Sequence, residues 1–110
     1  MRGKRILGVG AFAATLVAGT PAAAAHPVQA RAGGRYVALG DSFTAGPGIP
    51  KQHGTPAGCR RSNRNYPSLV AARLRMRLTD VSCTGAQIRH LTESQRTSSG
   101  TNPPQLNALT

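Results

Sequence analysis

Asp41, Ser42 and Thr44 fall within one short stretch, YVALGDSFTAG over residues 36–46, between Gly40 and Gly46. A serine hydroxyl in such a turn is placed for nucleophilic chemistry: it attacks a carbonyl, provided that nearby backbone N–H groups hold the oxyanion that develops. A second stretch, TDVSCTGAQ over residues 79–87, offers a donor at Gly85, because a glycine backbone approaches a ligand with no Cβ in the way. Two other serine or glycine motifs fail on spacing. The nucleophile elbow G-x-S-x-G finds Gly40, but Thr44 occupies its second glycine position. A phosphate-binding G-x-x-x-x-G-K-[ST] loop is excluded because Gly40 and Gly46 are six apart and no lysine follows. Taken alone, Asp41 and Ser42 also read as residues that cap a helix or shape a turn.

These residues need elements to carry them. An apolar run over residues 35–39 reads as a first strand that stops at Gly40. Residues 46–58 hold Pro47, Pro50, Pro56 and four glycines and read as a loop. In NYPSLVAARLRMRL, Pro67 suits a first helical turn, and Val70, Leu74 and Leu78 recur at four-residue spacing, predicting an amphipathic helix over residues 67–78 that packs on a core with its arginines wet. A second short strand is expected over 80–83, a second helix over 86–94, and a third after Pro103-Pro104, over 105–109. Strand, helix, strand, helix is the order of a parallel α/β sheet. Ligands gather beyond the carboxyl ends of such strands, so neighbouring strands would turn Ser42 and Gly85 toward one crevice. Two parallel strands cannot close a core with both faces covered, and the chain reads as the N-terminal portion of a larger domain.

Arg2, Lys4 and Arg5, the uncharged run over residues 6–18 and the small residues up to Ala25 have the layout of a secretory signal peptide. Cleavage fits after Ala25 or after Ala30. The run is shorter than the roughly 20 apolar residues of a membrane span, so no stable membrane anchor is expected. The expected organisation is a leader over 1–25, a linker over 26–34 and the truncated domain over 35–110, in a secreted, extracellular protein. The formal charge is +11, and without the leader eleven basic residues face three acidic ones. Ten of the eleven are arginines spread from Arg31 to Arg96; aromatics are few and not interleaved with them, which speaks for a solvated basic surface and against a nucleic-acid partner. Outside the cell, Cys59 and Cys83 predict a disulfide, and they show no metal-ligand spacing with His53 or His90, so no metal or other cofactor is expected.

VALGDSFTAG resembles the first conserved block of the GDSL, or SGNH, hydrolases, and SCTGAQ resembles their second. CRRSNRNYPSLVAARL between the blocks and PPQL after them are similar to the secreted lipase and esterase branch of that family. The resemblance covers about residues 35–109. It implies an SGNH-hydrolase-like parallel-sheet fold, flavodoxin-like and three-layered, of which the first two strands and their helices are present here. It implies an ester substrate (a lipid, an acylated glycan or a small ester), and a monomer when complete. On this resemblance Ser42 takes the place of the nucleophile, its own N–H contributing to the oxyanion hole. Gly85 takes the place of the second oxyanion donor, Gly40 and Asp41 shape the turn, and Cys59 and Cys83 match the first disulfide of the secreted branch.

Two parts of the family pattern are missing. Gly100-Thr101-Asn102 imitates the third block, G-x-N-D, but Pro103 replaces its Asp, and Asn102 reads as a decoy. No Asp in the chain has a His three residues later, so the D-x-x-H pair of base and acid is not in this chain; His53 and His90 read as surface histidines. Two functions stand on these residues: a secreted serine ester hydrolase seen in part and inactive in this form, or a non-catalytic secreted binding module that keeps the front half of the fold.

Overall fold

The computed structural model describes residues 8–19 and 31–110. Both expected cleavage positions, the charged start of the leader and residues 26–30 of the linker lie outside these residues. Residues 8–19 are exposed and form neither helix nor strand. Among the described residues no helix is long and apolar enough to cross a membrane.

Strand β1 (Arg35–Ala38) pairs in parallel with β4 (Arg77–Asp80), with Arg35 opposite Arg77 and Ala38 opposite Asp80. The expected parallel pair of neighbouring strands is present. Between its two strands run the one-turn helix α1 (Ser42–Ala45), the short ladder of β2 (Gln52–His53) with β3 (Arg61–Ser62), a 3-10 turn at Ala57–Cys59 and the helix α2 (Tyr66–Leu74). After β4 come a 3-10 turn at Ile88–Leu91, a second antiparallel ladder of β5 (Gln95–Arg96) with β6 (Thr101–Asn102), and a 3-10 turn at Gln105–Leu109.

The described residues thus hold six strands in three two-stranded sheets rather than two strands alone. The predicted second helix over 86–94 is only the 3-10 turn at Ile88–Leu91, and the third is also a 3-10 turn. The larger correction concerns α2. It stops at Leu74, where Arg75 takes a left-handed conformation (φ 53°) and its N–H returns to the Ala71 and Ala72 carbonyls. That is a C-terminal stop of the kind glycine usually makes. Leu78 therefore belongs to β4, and the second strand begins three residues earlier than expected. The periodic trio Val70, Leu74 and Leu78 does not share one helix face. α2 instead buries Pro67 and Ala71 and leaves Leu69, Val70 and Leu74 exposed.

The interior is small and largely polar. Its apolar members are Ala38, Ala45, Cys59, Ala71 and Cys83, whereas Asn65, Asn102 and Gln105 are among its largest fully buried side chains. Buried amides must find partners, and here they join the elements. Asn65 caps α2 by accepting from the Ser68 N–H, and its Nδ2 donates to the Ala45 carbonyl of α1 (3.2 Å) and to Asp80 Oδ2 at the end of β4 (2.7 Å). Arg61 donates to the Ser82 carbonyl, the Thr55 carbonyl and Asn102 Oδ1. Burial pulls the Arg61 guanidinium pKa below its usual value, and the charge of Asp80 opposes that pull. The Cys59–Cys83 disulfide is formed, joining the 3-10 turn before β3 to the segment after β4.

Candidate active site

The parallel ladder runs past the assigned strands. The Val81 N–H donates to the Ala38 carbonyl, and the Cys83 N–H donates to the Gly40 carbonyl at 3.1 Å. Ser42 lies two residues beyond Gly40 and Gly85 two residues beyond Cys83, so the pairing delivers both to the same end of the sheet. Ser42 opens α1. A first-turn amide has no intrahelical acceptor, which leaves the Ser42 N–H free of the helix ladder. Asp41 is the N-cap: its Oδ1 accepts from the Phe43 N–H at 2.9 Å, and its carbonyl accepts from the Ala45 N–H. Gly46, at φ 74°, ends the turn.

Gly40 sits at φ 143°, a conformation that L side chains rarely adopt. A Cβ there would lie 2.9 Å from the Thr44 Cβ, and Thr44 is itself buried, with its hydroxyl 3.4 Å from the Tyr66 hydroxyl. Gly40→Ala is expected to cost about 3 kcal/mol of stability, combining backbone strain with overpacking. Urea denaturation of the two chains checks this; an unchanged midpoint would show that the turn relaxes freely.

Gly85 has φ 80° and is exposed. The Thr84 carbonyl beside it accepts from Gln95 Nε2 at 2.9 Å, and the Thr84 N–H donates to the Cys59 carbonyl. Gln95 is buried, yet its Oε1, like Thr84 Oγ1, has no partner among the described residues.

Two cavities meet at this end of the sheet. One, of about 300 Å³, lies between Gly40 and Asp41 on one side and Ala86, Gln87, Ile88 and Leu91 on the other, with Gln105 also in its wall. Gly85 lines the second, more polar one, of about 450 Å³, and Gln87 borders both. Phe43 and Ile88 stand almost fully exposed beside them. A hydroxyl, first-turn and glycine amides and an apolar recess are elements of an acyl-transfer site; here the recess is lined by Asp41, the neighbour of Ser42, and by Ala86, the neighbour of Gly85.

Of the other sequence candidates, His90 lines the second cavity with Gly85, whereas Asn102 and His53 line neither. Asn102 is buried, with Oδ1 on Arg61 and Nδ2 on the Val81 carbonyl, so its amide is spent on structure. His90 is buried rather than at the surface as expected. Its Nδ1 accepts from the Gln87 N–H at 2.9 Å, so it closes the capping box of its 3-10 turn, and its Nε2 lies 3.4 Å from Arg89 Nε. His53 is exposed on β2. No group of three or more His, Cys, Asp or Glu is gathered for a metal among the described residues. Sequence reasoning missed Asn65, Gln95 and Gln105, the amides that hold the turns around Ser42 and Gly85. The one available signal was PPQL, noticed as a likeness but with no role assigned to its glutamine.

No protein-family model matches the sequence. Among curated proteins the chain is similar to Lipase 2 of Streptomyces coelicolor, with 42% identity over 97 residues, covering 86% of this chain and 32% of the lipase. It is also similar to a lipase of Streptomyces rimosus, 37% identical over 70 residues, covering 61% of this chain and 26% of that enzyme. Among solved structures, phospholipase A1 from Streptomyces albidoflavus superimposes with a TM-score of 0.50 at 38% identity, covering 55% of this chain and 26% of that one. The chain thus spans about a third or less of the length of the curated relatives it matches. These likenesses uphold the resemblance carried by the two blocks: the chain is related, over most of its own length, to one portion of the Streptomyces lipases of the GDSL/SGNH hydrolase family.

Proposed function

We propose that this chain is part of a secreted serine ester hydrolase of the lipase and esterase type that works through an acyl-enzyme on Ser42. The observation that carries the reading is the parallel ladder continued to Gly40 and Cys83, which presents Ser42 and Gly85 at one end of the sheet. In the proposed reaction Ser42 Oγ forms a bond to the ester carbonyl carbon, and the N–H groups of Ser42 and Gly85 hold the oxyanion. The carbon–oxygen bond to the alcohol then breaks. A base takes the Ser42 proton and passes it to the leaving alcohol, and water later releases the acid and restores Ser42. The geometry of His90 and His53 speaks against either as that base, so it is assigned to a D-x-x-H segment outside these 110 residues. The similar proteins are named lipases and a phospholipase A1, which favours lipid esters as the substrate class. The leader layout and the disulfide support secretion.

Reading the coding DNA beyond Thr110 tests this directly. A further strand ending in G-x-N-D and a later D-x-x-H are expected. An immediate stop codon, or a downstream sequence without D-x-x-H, would transfer the case to the non-catalytic binding module.

A further inference from the structure

We infer that Gln105 is a positioning residue that sets the turn carrying Ser42, an inference that rests on the nucleophile reading above. Its carboxamide makes a two-way clamp on one residue, touching the peptide groups on both sides of it: Oε1 accepts from the Gly40 N–H at 2.7 Å, and Nε2 donates to the Gly40 carbonyl at 2.9 Å. Gln105 is 1% exposed, and both bonds are part-buried in the wall of the smaller cavity. The same carbonyl also accepts from the Cys83 N–H of the segment that follows β4. Just beyond β1, Gly40 is thus held by a backbone donor and by a side chain that both donates and accepts. Ser42 is two residues away, and Gly40 has the backbone conformation that bends the chain into α1. Without the clamp, the Gly40 amide has lost its acceptor and the turn is held from one side only. Hydroxyl placement is where such a change is felt, because a shift of about 1 Å at a reacting atom costs up to about 100-fold in rate.

The experiment uses the full protein encoded by the gene, a short-chain aryl ester and a fluorophosphonate probe, with Gln105→Leu, Gln105→Glu and Ser42→Ala in parallel. Gln105→Leu is expected to lower kcat and the rate of probe labelling by about 10- to 100-fold with KM within about twofold of the native value. It should also speed hydrogen exchange at the Gly40 amide in molecules that remain folded by circular dichroism. Gln105→Glu keeps the acceptor for the Gly40 N–H and regains the second donor only when protonated. Its kcat relative to that of the native protein should rise toward acid pH. Asp41, in the wall of the same cavity, and His90, on the 3-10 turn packed against that of Gln105, are common to both proteins, so the ratio at each pH is the quantity read. A folded Gln105→Leu variant with native kcat, or one whose loss lies in KM alone, overturns the inference. So does a Gln105→Glu ratio that is flat with pH. Hydrolysis and labelling that persist in Ser42→Ala remove the nucleophile reading, and the positioning claim with it, whatever the Gly40 exchange shows.

Discussion

Ser42→Ala is expected to abolish ester hydrolysis and fluorophosphonate labelling in a chain extended through its D-x-x-H segment, with kcat lowered by a factor on the order of 10⁶. The size of the effect follows from the mechanism. Without the hydroxyl there is no acyl-enzyme, and the oxyanion donors alone retain only a small acceleration over water. The 110-residue chain is expected to be nearly inert even with Ser42 in place. A serine hydroxyl is a weak nucleophile without an adjacent base, and the described histidines are one buried in a cap and one exposed on β2. Turnover of an aryl ester and probe labelling, followed in the short chain, the extended chain and its Ser42→Ala variant, give the comparison. Strong Ser42-dependent hydrolysis by the short chain would make His90 or His53 the base after all. An extended chain that stays active as Ser42→Ala would show that the nucleophile lies elsewhere.

Removing the disulfide is expected to have the largest effect on stability. The Cys59–Cys83 bond spans a sequence separation of 24. Constraint of the unfolded chain by a loop of that length amounts to about 3.5 kcal/mol. A domain with so few buried apolar side chains has little to set against such a loss. The bond also has a local consequence, since Cys83 donates to the Gly40 carbonyl and the next residue, Thr84, is held to the Cys59 carbonyl. Cys59→Ser/Cys83→Ser should lower the urea midpoint accordingly and, in the extended chain, slow probe labelling as well. A double variant with the native midpoint would place the stabilisation elsewhere.

The parallel pair and both turns were legible because their signals are local: an apolar run stopped by Gly40, and a second one leading to Gly85. The boundaries of α2 were not. The helix ends at an arginine in a left-handed conformation, where a glycine would have announced the stop, and Leu78 continues the four-residue spacing into the strand by coincidence of composition. The buried amides were less legible still. Asn65 was only the residue that opens NYPSLVAARLRMRL, with no role assigned, and Gln105 the first residue of an expected helix after two prolines. Each is buried because a partner far along the chain satisfies it, in the case of Gln105 one 65 positions away. Amino-acid type alone gives no hint of such a partner. His90 was misplaced for a local reason: its ring folds back to accept from the Gln87 N–H three residues earlier and is buried in its own 3-10 turn.

The span between Gly40 and Gln105 bears on when, during folding, the candidate site comes into being. α2 and its Asn65 cap need only neighbouring residues and can form early. The β1–β4 pairing must bring together segments about 40 residues apart, and the Gly40–Gln105 contact spans 65 positions. Loop closure grows only slowly with length in free energy, but non-local contacts are the ones that set folding speed. Ser42 is synthesised well before Gln105, yet the turn that carries it is complete only once Gln105 is in place. A chain kept unfolded for passage across a membrane would carry this hydroxyl as an ordinary serine, and the hydrolytic site would be built only on the far side.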